Sequence, residues 1–233
     1  KLIYVLETHF HADFISGHLE LSKKYNCPII YGPNVLTKYN SISLNDNEII
    51  NVGKISLKVI HTPGHTLESV CYLLHDKNNK QHSLYTGDTL FIDDVGRPDL
   101  AINNNLTTTD LSNMLYNSLY NKIMNLNDDI IIYPAHGSGT QCGKNLSSET
   151  FSTLKNQKIN NYALNFKSIK EFTNSMLQNL PIAPNYFKKS ALVNKNGYKP
   201  QSKLLKNSFK AIDKETFLSY HEKNYFILDT RNQ

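Results

Sequence analysis

Residues 9–13 read His9-Phe10-His11-Ala12-Asp13 and follow directly on a short apolar run, Leu2 to Leu6, through Glu7 and Thr8. Side chains alternate along an extended stretch, so His9, His11 and Asp13 point the same way. Three potential ligands on one side of one loop make a metal-ligand spacing. A single such loop explains little, and the question is whether other strand ends carry ligands to the same point.

Three further groups do so. His61-Thr62-Pro63-Gly64-His65 follows the strand-like run Ile55 to Ile60. Thr86-Gly87-Asp88-Thr89 follows Leu84, and Tyr133-Pro134-Ala135-His136-Gly137 closes the apolar run that begins at Ile130. Loops at the carboxyl edge of a sheet can converge on one site. Imidazole and carboxylate together suit zinc or ferrous iron, and two histidines with one carboxylate and open positions is an arrangement of iron oxygenases. One histidine at a strand end is ordinarily just a loop residue. Four groups in series, each after a strand and each beside glycine or proline, are hard to explain that way.

Around these loops the pattern predicts an α/β protein. Helices are expected over 14–25, 109–123 (capped by Thr109 or Asp110), 148–158 and 168–180. Strands are expected at 2–6, 28–31, 49–50, 55–60, 70–74, 84–86 and 130–133, with a turn at Asn78-Asn79. Alternating strands and helices indicate layers. The division expected is a catalytic domain over 1–180, a linker over 181–210 punctuated by Pro181, Pro184 and Pro200, and the opening of a second α/β domain over 211–233. That last piece reads as a helix at 213–221 and a strand at 225–228. The chain opens at Lys1 on a strand of mid-domain character, so the natural N-terminus is expected upstream.

Composition excludes several classes. The 233 residues are 39% hydrophobic and 19% charged, within the range of a folded globular protein. The net charge of +5 is almost all lysine, spread along the chain, which reads as a solvated face and excludes a nucleic-acid groove. No apolar stretch reaches membrane-spanning length. Cys27, Cys71 and Cys142 are odd in number and contain no CxxC pair, which argues against a disulfide framework or structural zinc and suits a reducing cytoplasm. Cys27 and Cys71 read as buried small hydrophobes, and Cys142 as a loop thiol that either lines the mouth of the site or has no function. His18 reads as a packing or surface residue, and His75, His82 and His221 as exposed. Arg97 and Arg231 are the only arginines. Arginine's planar fork differs from lysine's point charge, so both are candidates for anion contacts.

His9-x-His11-x-Asp13, His61-Thr62-Pro63-Gly64-His65, Gly87-Asp88-Thr89 and Pro134-x-His136-Gly137 resemble, in that order, the metallo-β-lactamase superfamily over about residues 1–145. The run Leu90 to Leu100, with Gly96-Arg97-Pro98-Asp99, looks like its persulfide dioxygenase branch, in the bacterial form fused to rhodanese domains. Tyr225 to Arg231 is similar to the first strand of a rhodanese domain. The resemblance implies an αββα sandwich, here lacking its N-terminal strands and followed by the start of a rhodanese-like domain.

It further implies one Fe(II) per chain, with zinc as the alternative, held by residues matching His9, His65 and Asp88. His11, Asp13 and His136 would stand behind that set or form a second site, with Asp13 and Arg97 as catalytic candidates. The implied reaction is oxidation of the sulfane sulfur of a low-molecular-weight thiol persulfide, such as glutathione persulfide, by O2 to sulfite. A rhodanese domain in cis is the implied partner, and a homo-oligomer is left open. Arg97 would bind a carboxylate of the thiol carrier or form a salt bridge with Asp99 or Asp94. One departure stands out. The superfamily usually has histidine after the motif aspartate, and this chain has Phe14, which offers no lone pair to a second metal. A two-zinc thioester hydrolase of the glyoxalase II type is the main alternative, and a non-catalytic sulfur-carrier or scaffold module is another.

Overall fold

The structure is a computed structural model that describes residues 1–101, 106–144, 146–229 and 231. Two sheets form its centre. β1 (Val5–Leu6), β2 (Ile29–Tyr31) and β3 (Ile42–Ser43) make a small parallel sheet in that order. β4 (Ile49–Val52), β5 (Ile55–His61), β6 (Val70–His75), β7 (Gln81–Gly87), β8 (Ile131–Pro134) and β9 (Ser152–Thr153) make the larger sheet, also in chain order. Two-residue periodicity sorts their side chains between faces. Ile29 and Tyr31 join Val5, Cys27 and Val35 in one cluster, while Ile30 packs with Ile50, Val59, Val70 and Tyr72 from the larger sheet.

The larger sheet repeats this sorting. Ile60, Cys71, Leu73, Leu84 and Ile132 face a third cluster with Leu115, Leu119, Leu154 and Phe172. Those last four come from α2 (Thr108–Asn121), α3 (Leu154–Asn160) and α4 (Ile169–Leu177). α1 (His18–Tyr25) covers the small sheet. The layers therefore run helix, sheet, sheet, helices, which is the αββα sandwich expected. No helix of the described residues is long and apolar enough to cross a membrane.

Several boundaries differ from expectation, for local reasons. α2 is capped by Thr107, not Thr109 or Asp110. The Thr107 hydroxyl accepts from the Asp110 N–H at 3.1 Å and the Asp110 carboxylate accepts from the Thr107 N–H at 2.9 Å, so Asp110 closes a capping box one turn in. α1 begins at His18 rather than Phe14, because the Phe14 carbonyl and the Ser16 N–H are both taken by the Asn194 side chain. The expected helix at 148–158 begins only at Leu154, after β9.

The chain divides into compact units of 1–198 and 199–233. The first unit thus extends beyond the expected boundary at 180. The stretch expected as linker contains α5 (Phe187–Asn196), whose Phe187 and Asn194 are buried. The second unit holds α6 (Gln201–Ser208) and α7 (Lys214–Glu222), the latter capped by Asp213. Tyr225 to Leu228, expected as a strand, form none. A strand needs a ladder partner, and no other strand lies among the described residues of this unit. The fold thus shows the helix expected at 213–221 but not the strand, and no rhodanese-like domain is shown. Arg231 pairs with Asp229 at the surface, and Thr230 between them lies outside the described residues.

Candidate metal centre

Three of the four ligand loops leave one edge of the larger sheet. β5 and β7 both pair antiparallel with β6, and β7 pairs parallel with β8, so the carboxyl ends of β5, β7 and β8 meet. His65 follows β5, Asp88 follows β7 and His136 follows β8, while β1 of the other sheet delivers His9, His11 and Asp13. Close backbone approach is built in. A Cβ on Gly96 would stand 2.0 Å from the Asp88 carbonyl oxygen and 2.9 Å from His65 Nδ1. Gly87 takes φ +53°, and a Cβ there would strike Thr8 at 2.6 Å.

His9, His65 and Asp88 bring one ligand atom each within 4.8 Å of one another. His65 Nε2 lies 3.3 Å, and His9 Nε2 3.7 Å, from Asp88 Oδ2. None of the three is more than 2% exposed. The far nitrogens are fixed as well. His65 Nδ1 lies 3.0 Å from the Arg97 carbonyl oxygen, which can only accept, so Nδ1 carries the proton and Nε2 presents its lone pair. His9 Nδ1 lies 2.9 Å from the Thr8 hydroxyl.

His11, Asp13 and His136 form a second group of the same spacing. His136 Nε2 is 3.4 Å from Asp13 Oδ2 and 3.4 Å from Asp88 Oδ1. Asp88 thus turns one oxygen to each group. His11 Nδ1, Asp13 Oδ1, His136 Nε2 and both Asp88 oxygens are buried without a hydrogen-bond partner. Buried polar atoms are ordinarily paired, and leaving them unpaired is costly. A cation among them removes that cost, so the residues fit a metal.

Their protonation fits too. Burial holds His9 well below the ordinary imidazole value, against the pull of Asp88, and burial likewise lowers His11. Burial alone would raise the Asp88 carboxyl, but His9, His136 and His65 beside it hold it well below the usual carboxylate range. Neutral imidazoles and an ionised carboxylate are the forms that ligate.

Two residues that the sequence did not single out support this site. Glu7, buried, accepts from the Ser16 hydroxyl at 2.8 Å and turns its other oxygen to His11 Nε2 at 3.8 Å. Asn194 on α5 clamps the backbone of the first loop through His11, Phe14 and Ser16. Cys142, read as lining the mouth of the site or as having no function, lies beside the candidate ligands. It is 1% exposed and its Sγ lies within 4.8 Å of ligand atoms of Asp88 and His136.

Arg97 turns out differently. It is 3% exposed and grips Asp99 through Nε and Nη2 at 2.6 and 2.7 Å, with further donation to the Gln141 and Pro181 carbonyls. Of its two readings the salt bridge holds, with Asp99 as the partner. Its service to the site is the backbone carbonyl on His65. Asp94 instead accepts from the Val95 and Lys144 N–H groups and the Tyr162 hydroxyl. Phe14 is 44% exposed, stacks on His11 at 4.4 Å and stands edge-on to His136. His61 bonds the Leu67 carbonyl and takes no part. Cys27 and Cys71 are buried as expected, His82 and His221 are exposed, and His75 is half-buried.

An αββα sandwich with His/Asp ligands converging at its strand ends defines a metalloenzyme fold. The model of the metallo-beta-lactamase superfamily matches residues 1–136, and this chain belongs to that superfamily. Among curated proteins it is 39% identical over 95 residues to a probable hydroxyacylglutathione hydrolase of Schizosaccharomyces pombe, covering 40% of this chain and 35% of that one. It is 33% identical over 168 residues to a hydroxyacylglutathione hydrolase of Dictyostelium discoideum, covering 71% and 58%. The chain spans at most about three fifths of the length of these relatives. Among solved structures, a metallo-beta-lactamase from Staphylococcus aureus aligns at TM-score 0.77 and 31% identity, covering 85% of this chain and 59% of that one. ETHE1 from Myxococcus xanthus aligns at 0.68 and 26%, covering 84% and 77%.

Proposed function

We propose that this protein is a single-iron persulfide dioxygenase, oxidising the sulfane sulfur of a low-molecular-weight thiol persulfide such as glutathione persulfide. The observation that carries the reading is the buried triad of His9, His65 and Asp88, two imidazoles and one carboxylate with coordination positions left over. Ferrous iron in that triad would supply a redox-active centre with room for two reactants. The chain's own residues do the rest. The Arg97 carbonyl and Thr8 hold the two imidazoles in their ligating orientation. Phe14, next to His11, gives the mouth an apolar wall. In the same reading, a rhodanese domain in cis exchanges sulfane sulfur with this site, and a reducing cytoplasm keeps all three cysteines as free thiols.

A zinc-dependent thioester hydrolase of the glyoxalase II type is the second reading. It is favoured by the similarity to hydroxyacylglutathione hydrolases and by the second ligand group of His11, Asp13 and His136. Metal analysis coupled to an oxygen electrode separates them. The dioxygenase predicts iron and O2 uptake on glutathione persulfide; zinc, no uptake and turnover of a hydroxyacylglutathione thioester would sink it. Asp88→Ala should remove both metal and turnover, and function surviving that change would favour a scaffold.

A further inference from the structure

We propose that the segment from Lys199 to Ile212, built around α6, docks on an anionic lipid surface, with its lysines against phosphate headgroups and its apolar side chains at the acyl boundary. Lys199, Lys203, Lys206 and Lys210 place four positive charges in this stretch, and it contains neither aspartate nor glutamate. The whole chain of 233 residues carries a net charge of only +5. This stretch is therefore a local concentration of one sign.

Helical spacing sorts these residues by face. Within α6, Lys203 and Lys206 lie one turn apart on one row, and Leu204 and Leu205 lie off it. Lys199 and Lys210 continue the lysine row beyond the two ends of the helix, at spacings of four residues, and Phe209 and Ile212 continue the row of Leu205. Leu204, Leu205, Phe209 and Ile212 are 48%, 43%, 82% and 46% exposed, and the four lysines are exposed as well. None of the described side chains of α6 is buried. An apolar row on an amphipathic helix ordinarily turns to a core; here it faces solvent.

The lysines decide between occupants. Bidentate pairing with carboxylates on a protein partner favours arginine, and the stretch has none. Lysine is a point charge on a flexible stem, which suits the diffuse charge of headgroups. A lysine row beside an apolar row, in an otherwise polar helix, is the pattern of a segment that lies in a membrane interface. The lysine stems run along the apolar surface and carry their ammonium groups out to the phosphates. The eight residues of α6 reach about 12 Å. That is too short to cross the hydrocarbon, so the segment lies on the surface and does not span it.

Co-sedimentation of the full chain with phosphatidylglycerol-containing vesicles and with pure phosphatidylcholine vesicles checks this. Binding to the anionic vesicles alone is expected, and it should fall steeply as salt is raised. Lys203→Gln combined with Lys206→Gln should weaken it about 25-fold, at about fivefold per lysine. Phe209→Gln should weaken it by about tenfold or more. Lys54→Gln combined with Lys77→Gln removes the same charge from two exposed turns and should leave binding within about twofold. No binding, equal binding to both vesicle types, or equal loss in the two lysine pairs overturns the proposal. So does a dimer in sedimentation velocity that Phe209→Gln dissociates while vesicles capture nothing, because the apolar row then belongs to a second copy. None of these readouts involves a metal, O2 or a persulfide, so failure here and failure of the proposed activity are distinguishable.

Discussion

The side-chain amide of Asn194 donates to the backbone carbonyl of His11 at 2.8 Å across 183 residues of sequence. The same nitrogen donates to the Phe14 carbonyl at 2.8 Å, and the amide oxygen accepts from the Ser16 N–H at 2.9 Å. One buried residue of α5 therefore fixes the loop that carries His9, His11 and Asp13. The helical stretch after residue 180 is part of the metal site's support.

Asn194→Leu removes all three bonds and strands the backbone groups of a buried loop. The expected loss is on the order of 3 kcal/mol of stability, with metal affinity down by about tenfold or more as the loop loosens. Thermal melts and chelator competition check this together. A lower melting temperature with unchanged metal affinity would show that α5 supports the fold and not the ligands.

The clustering of the candidate ligands was legible in the sequence because each group follows a strand and strands impose a two-residue alternation. Glu7 belongs to that same alternation, two residues ahead of His9, and extending the pattern backwards would have found it. Asn194 gave no signal, since nothing local distinguishes it from the chain's many other asparagines. Cys142 was left between two readings because a loop thiol is defined by what folds over it. The layers were legible from β-strand patterning, whereas the start of α1 was not: a residue 180 positions away decides it. Tyr225 to Leu228 show the converse, a strand-like pattern with nothing to pair against.

Arg97→Lys keeps the charge and loses the fork. The buried bidentate pairing with Asp99 and the bond to Gln141 cannot both be kept by an ammonium group. Stability should fall on the order of 2–4 kcal/mol, read by chemical denaturation. KM for a carboxylate-bearing thiol persulfide should stay within about twofold once the protein is folded. A tenfold rise in KM without a stability change would restore Arg97 as an anion-binding residue.

Gly96→Ala places a methyl against the Asp88 carbonyl and the His65 ring, both backbone or ring atoms with little room to yield. It should cost about 1–3 kcal/mol by overpacking and lower metal affinity by about 10–100-fold through displaced ligands. Gly137→Ala is the control. It adjoins His136, yet its added Cβ would meet nothing within 4 Å, so isothermal titration with metal should show no change.

His18 carries the pH prediction. Fully buried among the rings of Tyr31, Tyr39 and Tyr198, it has no hydrogen-bond partner on either nitrogen. Burial lowers it to about 4 from an ordinary 6.5, with Glu20 opposing and His11 assisting. Between those values the unfolded chain binds the proton and the folded chain does not, so stability rises with pH through the window. The contribution is fully present above about pH 6.5 and is lost progressively as pH falls towards 4, amounting to about 3 kcal/mol at the bottom of the range. His18→Phe keeps an aromatic ring in the box and removes the titrating group. Its gain in melting temperature should therefore be several degrees larger at pH 5 than at pH 8. An equal shift at both pH values would mean that the unpartnered nitrogens, and not the proton, set the cost of a histidine at this position.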